Sequence, residues 1–216
     1  MTTPARLLTD ELGRDGSRPF LTYYDDASGE RVELSIATTA NWVAKTANYL
    51  VDECGVDAGD LVTVRLPLHW QTAVVLLACW AVGAQVSFDD GGIVTFATSE
   101  GDSAGETIVL TMTPMGVDFS RLVAAQPDVF AASDPTGDDL VEAAAIDVPH
   151  GARVLNVLAY DGADAITYGL ITPLAVGGSI VLVAHAVAAR LANHAETERV
   201  SHTVGIEIDK LPRLDG

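Results

Sequence analysis

The chain has 216 residues, of which 49% are hydrophobic, so it carries enough apolar material for one sizeable core. Thirty Asp and Glu residues against twelve Lys and Arg residues give a formal net charge of −18 at pH 7. A surface of that sign repels phosphate backbones and anionic lipid head groups, so the composition excludes nucleic acid and membrane surfaces as partners.

The sequence shows no pattern of a membrane helix, a signal peptide or a cysteine metal site. The sequence has no apolar run of the ~18 residues that a membrane helix needs. Residues 1–13 lack the basic and then apolar pattern of a signal peptide. Cys54 and Cys79 do not have the spacing of a metal site. We therefore expect a cytoplasmic protein with reduced thiols.

The first elements are two strand-like runs and a helix. Phe20–Tyr24 and Arg31–Leu34 flank a polar turn, which predicts a hairpin. Ser35 is suited to cap a helix, because its side chain can accept a hydrogen bond from a backbone N–H of the first turn. Apolar residues then recur at three- and four-residue steps from Val43 to Cys54, and Gly55 can end the helix in the left-handed conformation.

A strand–helix–strand unit follows. Leu61–Leu66 and Ala84–Phe88 read as strands, and His69–Val82 reads as the helix between them. The helix is apolar almost all round, so we expect it to be buried on more than one side. A crossover helix implies that the two strands are parallel.

The middle of the chain carries a weaker pattern than its two ends. Strands are predicted at Ile93–Thr98 and Thr107–Met112, and short helices at Phe119–Ala125 and Asp138–Ala145. Strands and helices then alternate again, at Arg153–Leu158, Ala163–Val176, Ser179–Ala184, Val187–Glu198 and His202–Glu207. This order predicts a single α/β domain over residues 1–216, doubly wound, with a mostly parallel sheet and helices on both faces.

Residues 18–88 resemble the opening of AMP-forming acyl-CoA synthetases and peptide-synthetase adenylation domains, where this segment is mainly scaffold. The resemblance is carried by Val32–Ser35, Ala47–Leu50, Gly55–Asp60, Leu66–Pro67 and Ala81–Ala84. A second resemblance covers Arg153–Val183, including Ala159-Tyr160-Asp161-Gly162 and Leu174–Leu182. In the amino-acid-activating branch of that family, an aromatic–Asp pair at this loop helps to build the substrate pocket. The resemblance therefore implies ligand binding by Tyr160 and Asp161, and the alternative is a loop that is inherited for its structure alone.

Other parts of the family pattern are missing. The family's phosphate loop is rich in Ser, Thr and Gly and ends in Lys, but the stretch before Arg153 begins with the acidic Asp134–Asp139 and has no Lys. The family's adenine-side segment, ribose-binding Asp and lid with the catalytic Lys would lie beyond Gly216, and Lys210 lacks the surroundings of that Lys. The resemblance is thus to a short, actinobacterial-type relative with only the N-terminal part, and it implies no catalytic residue, no cofactor and no metal.

Two other constellations have ordinary interpretations. Gly101–Gly105 fits the G-x-S-x-G pattern of a hydrolase nucleophile, but a predicted strand follows where that chemistry needs a helix, so we interpret it as a polar hairpin loop. His185, His194 and His202 do not have metal-site spacing, and scattered histidines are usually solvated or packed in a core.

Tryptophans and one lysine lie on the predicted helices. We expect Trp42, Trp70 and Trp80 to pack in the core rather than to stack on bases. Lys45, on the polar side of its helix, is predicted to be a surface charge.

The sequence therefore predicts a non-catalytic relative of AMP-dependent synthetases and ligases that binds a small acyl or amino-acid-like ligand or a protein partner. One alternative is an active AMP-forming ligase whose site is remodelled or completed by a partner. Another is a structural interaction module. A chain without the remaining subdomains would expose an apolar face, so we also predict a homodimer, whose two-fold interface is self-complementary.

Overall fold

Two β-sheets with helices between and beside them make up the part of the chain that the computed structural model describes, which comprises residues 3–98, 106–109, 121–132 and 148–215. The strands are β1 (Pro19–Asp25), β2 (Arg31–Ser35), β3 (Leu61–Arg65), β4 (Gln85–Ser87), β5 (Val94–Ala97), β6 (Glu106–Val109), β7 (Arg153–Asn156), β8 (Ser179–Ala184) and β9 (His202–Val204). The helices are α1 (Pro4–Asp15), α2 (Ile36–Asp52), α3 (Trp70–Val82), α4 (Ala163–Ile166), α5 (Thr172–Ala175) and α6 (Ala188–Thr197), and a π-helical segment (Thr167–Ile171) joins α4 to α5.

The first sheet has the strand order β2-β1-β8-β7-β9. Its β1–β2 pair is antiparallel, as the predicted hairpin requires, and its other pairs are parallel. One face packs against the main core together with α2, α3 and α5. The opposite face packs against α6 through a smaller apolar cluster that includes Leu155, Val183 and Leu191. The predicted α/β class, with mostly parallel strands and helices on both faces, is confirmed.

The second sheet has the order β4-β3-β5-β6, and all of its pairs are parallel. The sequence did not indicate that the parallel strands are divided between two sheets. It also predicted a hairpin loop between the strands now seen as β5 and β6, and this prediction is wrong, because the two strands run in the same direction. A hairpin can join only antiparallel strands.

Helix α3 lies between the sheets and contacts β1 of the first sheet as well as β3 and β4 of the second. All of its residues are buried, including Leu76, Leu77 and Trp80, as the all-round apolar pattern predicted. Trp70 is also buried and Trp42 packs against the same core, so core packing of the tryptophans is confirmed. Gly83 ends the helix at φ 86°, a left-handed conformation that favours glycine.

Lys45 is not the free surface charge that its position on the helix suggested. Its Nζ lies 2.6 Å from the Gln126 carbonyl oxygen and 2.7 Å from an Asp128 carboxylate oxygen. The Asn48 amide, one turn along α2, donates to the carbonyls of Pro127 and Val129 at 3.0 Å each. Two side chains of α2 thus hold residues 124–129 against the helix, a contact across about 80 positions of sequence.

Helix α1 is an element that the sequence analysis missed. The Thr3 hydroxyl accepts from the Arg6 backbone N–H at 3.3 Å, and Pro4 occupies the first turn. A Thr followed by Pro is a recognised signal for a helix start. Residues 121–123 are helical, within the helix predicted at Phe119–Ala125, whereas the helix predicted at Asp138–Ala145 lies outside the described residues. Within the described ranges, no helix is both long and apolar enough to cross a bilayer.

Candidate functional site

The carboxyl end of β7 is the topological switch point of the first sheet. From β7 the chain passes through α4, the π-helical segment and α5 to β8 on one side, and from β8 it passes through α6 to β9 on the other side of β7. The two connections lie on opposite faces of the sheet. Crevices at such switch points are the usual ligand sites of open α/β sheets. The loop that follows β7, residues 157–162, is therefore the candidate ligand site of this sheet.

Asn156, at the end of β7, fixes the start of this loop. It is fully buried, its Nδ2 donates to the Leu158 carbonyl at 3.1 Å, and its Oδ1 accepts from the Leu158 N–H at 2.9 Å. Gly169 of the π-helical segment lies directly against this amide, since a Cβ on Gly169 would be 2.7 Å from Asn156 Nδ2. The close approach leaves room only for glycine, so strand, loop and helix are packed around one side chain.

Tyr160 points into the protein rather than out of the loop. It is 1% exposed, and its hydroxyl donates to the Gly169 carbonyl at 3.1 Å. Pro173, four residues after Gly169, has no N–H to offer that carbonyl, and a proline ring in a helix also crowds it. The π-helical turn at this point is a common way to relieve such crowding. Burial raises the pKa of Tyr160, so the hydroxyl is a protonated donor.

Asp161, the next residue, is exposed and lines an open depression of about 420 Å³. Asp164, in the first turn of α4, lines the same depression, and the other lining residues are small or apolar. The two residues singled out from the sequence therefore face in opposite directions. Tyr160 shapes the loop, Asp161 faces the solvent-filled depression, and Asp164 joins it. The Gly-Ala-Asp order at a predicted helix start was the signal for Asp164.

The chain is similar in sequence and in fold to known proteins. No family model matches the chain. A protein of Mycobacterium tuberculosis described as a TIGR03089 family protein is 36% identical over 243 residues, which cover 94% of this chain and 100% of that protein. This chain belongs to the TIGR03089 family.

Acetyl-coenzyme A synthetases are similar to part of the TIGR03089 chain. The enzyme of Shewanella sediminis is 27% identical over 66% of the chain, and that of Streptomyces coelicolor is 30% identical over 53%. The matched region is only 22% and 18% of the length of these two enzymes, respectively. The chain thus matches about a fifth of each enzyme.

Solved structures give the fold of the TIGR03089 chain. The N-terminal domain of FACL13 from Mycobacterium tuberculosis superimposes with a TM-score of 0.78 at 16% identity, over 95% of this chain and 63% of that domain. An adenylation–PCP di-domain from Klebsiella oxytoca, NpsA-ThdA, gives 0.75 at 12% identity, over 94% of this chain and 43% of that protein. The chain has the N-terminal fold of adenylate-forming enzymes, which confirms the resemblance seen in the sequence.

Two of the histidines in the TIGR03089 chain pair with carboxylates at the end of β1. His185 Nδ1 lies 2.9 Å from Asp25 Oδ1, and His194 Nε2 lies 2.9 Å from Asp26 Oδ1. Burial alone would raise the pKa of Asp25, but hydrogen bonds from Ser28, from a backbone N–H and from His185 bring it down to about 2. No three metal-ligating side chains converge anywhere in the described ranges.

Asp26 and Glu198 attach α6 to the first sheet. Val187 is the N-cap residue of α6, and its own side chain cannot cap the helix. Asp26, which follows β1, instead accepts a hydrogen bond from the Val187 backbone N–H at 2.8 Å. Glu198 pairs with Arg153 at 2.5 Å and accepts from Tyr24. These contacts are structural, and the sequence analysis did not find them because their members come from distant positions.

The remaining sequence candidates lie elsewhere. The Gly101–Gly105 pattern and the acidic Asp134–Asp139 stretch fall outside the described residues. His202 Nδ1 contacts the hydroxyl of its neighbour Ser201 at 2.9 Å. Lys210 lies beside Asp209 with 88% of its side chain exposed.

Proposed function

We propose that this TIGR03089 family member binds a small ligand with a cationic amine, such as an amino acid, at Asp161, and that it does not activate the ligand with ATP. One observation carries the proposal. The exposed Asp161 carboxylate borders an open depression at the switch point of the first sheet, on a loop whose shape is fixed by buried hydrogen bonds. A loop fixed in advance lowers the entropy cost of binding.

The charge of the depression favours an amine. Among the described residues, the ionisable side chains that line it are Asp161 and Asp164, with no lysine or arginine. An ammonium group would form charge-assisted hydrogen bonds with these carboxylates, whereas a ligand carboxylate would be repelled. The resemblance of Tyr160-Asp161 to the aromatic–Asp pair of amino-acid-activating enzymes supports the same ligand class. Exposed carboxylate–ammonium pairs contribute only about 0.2–1 kcal/mol, so we expect weak binding by small probes.

The lysines of the chain are not placed to hold a triphosphate at the depression. Adenylation must hold a triphosphate and neutralise the charge that develops on the leaving pyrophosphate. The chain has only two lysines. Lys45 is engaged by carbonyls and by Asp128, and Lys210 lies far along the chain on the surface. Neither lines the depression. The lack of a lysine in the described lining of the depression supports a domain that does not carry out adenylation.

Three matched probes test the ligand class, with binding followed by amide chemical shifts in NMR. L-alaninamide is cationic only, L-alanine carries both charges, and propionate is anionic only. We expect alaninamide to bind best and propionate to bind at least about tenfold more weakly, because of the carboxylate wall. Asp161→Asn should remove most of this preference. Asp209→Asn, at an exposed carboxylate outside the depression, is the matched control and should leave it unchanged.

Two outcomes would overturn the ligand proposal. One is propionate as the best binder, and the other is an amine preference that survives Asp161→Asn. Calorimetric titration with ATP and Mg²⁺, together with pyrophosphate exchange over a panel of carboxylic and amino acids, tests the absence of catalysis. Micromolar ATP affinity, or exchange that Asp161→Ala abolishes, would favour the active-ligase alternative. A stable complex with another protein and no response to any probe would favour the interaction module.

A further inference from the structure

A second cavity, of about 260 Å³, lies between α1, α2 and residues 128–132. Its floor is made of five buried apolar side chains, those of Ala5, Leu8, Val43, Ala44 and Ala81. Drug-sized ligand pockets have about 300–1,000 Å³, so this cavity is suited to a smaller, mostly apolar molecule. It shares no lining residue with the depression beside Asp161.

The outer wall of this cavity is bonded to α2 by two side chains, Lys45 and Asn48, that do not themselves line it. Residues 124–129 are bonded to α2 through Lys45 and Asn48, as described above. The following residue, Phe130, lines the cavity. The wall therefore does not depend on the contents of the cavity for its position, and the cavity is formed before a ligand enters.

The mouth of the cavity combines exposed apolar and polar side chains. Val129 is 80% exposed and Leu12 is 41% exposed, and both line the cavity. Exposed apolar side chains that share one concave surface are typical of binding sites. The exposed amide of Asn41 and the carboxylate of Asp128, 61% exposed, lie at the same lining. A polar group of the ligand at the mouth would meet the Asn41 amide and an Asp128 carboxylate that is already paired with Lys45 at 2.7 Å, within a chain of net charge −18. That environment favours a neutral or cationic polar end and repels an anionic one.

We propose that this cavity binds a small molecule with an aliphatic body and a neutral or cationic polar end, the chemistry of an alkyl alcohol or alkyl amine. The aliphatic body lies on the floor formed by α1, α2 and α3, and it covers apolar surface that Leu12 and Val129 otherwise leave in water. The polar end remains at the mouth, beside Asn41 and Asp128. The proposal is independent of Asp161.

Three six-carbon probes test it: 1-hexanol, hexylamine and hexanoate, each titrated into the isotopically labelled protein and followed by NMR. We expect a Kd of about 1 mM for the alcohol and the amine, given the limited affinity available to so few atoms. Hexanoate should bind severalfold more weakly, because its charge has the sign of the net charge of the chain, −18, and because no free cation lines the described part of the cavity. The shifted amides should lie in α1, in α2 and near Val129, and not in residues 157–165.

Matched variants connect binding to the cavity. Ala40→Leu fills part of it and should lower the affinity for 1-hexanol at least about tenfold. Ala192→Leu, on the exposed side of α6, is the control and should have no effect. Val129→Ala, at a side chain too exposed to matter for folding, should lower the affinity about threefold. Asp128→Asn should raise the affinity for hexanoate relative to 1-hexanol about threefold or more, because it also takes the Asp128 carboxylate away from the Lys45 ammonium.

Several results would overturn the proposal. They are the absence of shifts in α1 and α2 at saturating 1-hexanol, shifts confined to residues 157–165, and an equal affinity for hexanoate. If a second copy or another part of the chain filled the cavity, the probes would also fail to bind there. Retention of 1-hexanol affinity by a folded Ala40→Leu variant would contradict the assigned location.

Discussion

His69 gives the chain a pH-dependent stability that a single substitution should remove. Its imidazole caps α3, because Nδ1 accepts from the Gln71 backbone N–H at 3.2 Å. The ring is 2% exposed and packs edge-on against Tyr23, with centroids 4.6 Å apart. With Nδ1 as an acceptor, Nε2 carries the proton of the neutral ring, and Nε2 has no hydrogen-bond partner among the described residues. Protonation of Nδ1 would break the cap and place a charge in the core.

Burial therefore lowers the pKa of His69 from 6.5 to about 4. The direction in which the free energy of unfolding changes with pH follows from proton uptake by the folded and unfolded states. Above pH 6.5 neither state binds the proton, so the residue adds no pH dependence. Between pH 6.5 and about 4 the unfolded chain takes up a proton that the folded protein refuses, and stability falls with pH. At about 1.4 kcal/mol for each pKa unit, the loss amounts to about 3 kcal/mol by pH 4.

His69→Asn isolates this contribution. Asparagine is a good helix cap, so its side chain can accept the same Gln71 N–H without titrating. The free energy of unfolding of both proteins should be measured in urea at intervals from pH 7 to pH 4. The variant should be less stable at pH 7, because the smaller side chain leaves space beside Tyr23. The difference between the two proteins should then shrink by about 3 kcal/mol toward pH 4.

Carboxylates and the other histidines also titrate between pH 7 and pH 4, but both proteins contain them. Their contributions therefore cancel in the difference between the two free energies of unfolding. Burial also lowers the pKa of His202, for instance, but its effect cancels in the difference between the two proteins. Parallel stability curves for the two proteins from pH 7 to pH 4 would refute the reasoning. So would an NMR titration in which the His69 ring of the folded protein protonates near pH 6.5.

Three further predictions concern packing and association. Gly169→Ala should destabilise the protein by about 2 kcal/mol or more in urea unfolding, because the new Cβ would come 2.7 Å from Asn156 Nδ2. The control Gly13→Ala, where a Cβ meets nothing within 4 Å, should be neutral or stabilising. Equal effects of the two substitutions would contradict the packing around Asn156. Trp80→Ala should cost about 3–5 kcal/mol because the side chain is buried between the sheets, and a loss below about 1 kcal/mol would mean that the burial is wrong. The homodimer predicted from the sequence should give twice the chain mass in light scattering, and a monomer mass over a wide concentration range would remove it.

Local signals in the sequence were enough for most of the helices and strands. The cap at Ser35, the all-round apolar pattern of α3 and the glycine at position 83 each depend on neighbours within a few residues, so they can be read without the fold. The parallel pairing of β3 and β4 followed as well, because a helix of that length between two strands permits little else. Helix α1 carried the same kind of signal in Thr3-Pro4, which the sequence analysis passed over.

Tertiary structure alone decided the features that depend on distant partners. The direction of β6 beside β5, and the division of the strands into two sheets, depend on which strands pair, and strand pairing joins residues far apart in the sequence. Lys45 looked like a surface charge because the carbonyls that bind it lie about 80 positions away. The aromatic–acid pair after β7 was found from the sequence, but the sequence did not show which of the two side chains faces outward. The buried partner of Tyr160 is the Gly169 carbonyl, which Pro173 cannot bind because it has no N–H. A sequence pattern names the residues of a site, whereas the directions of their side chains depend on hydrogen bonds that only the folded chain brings together.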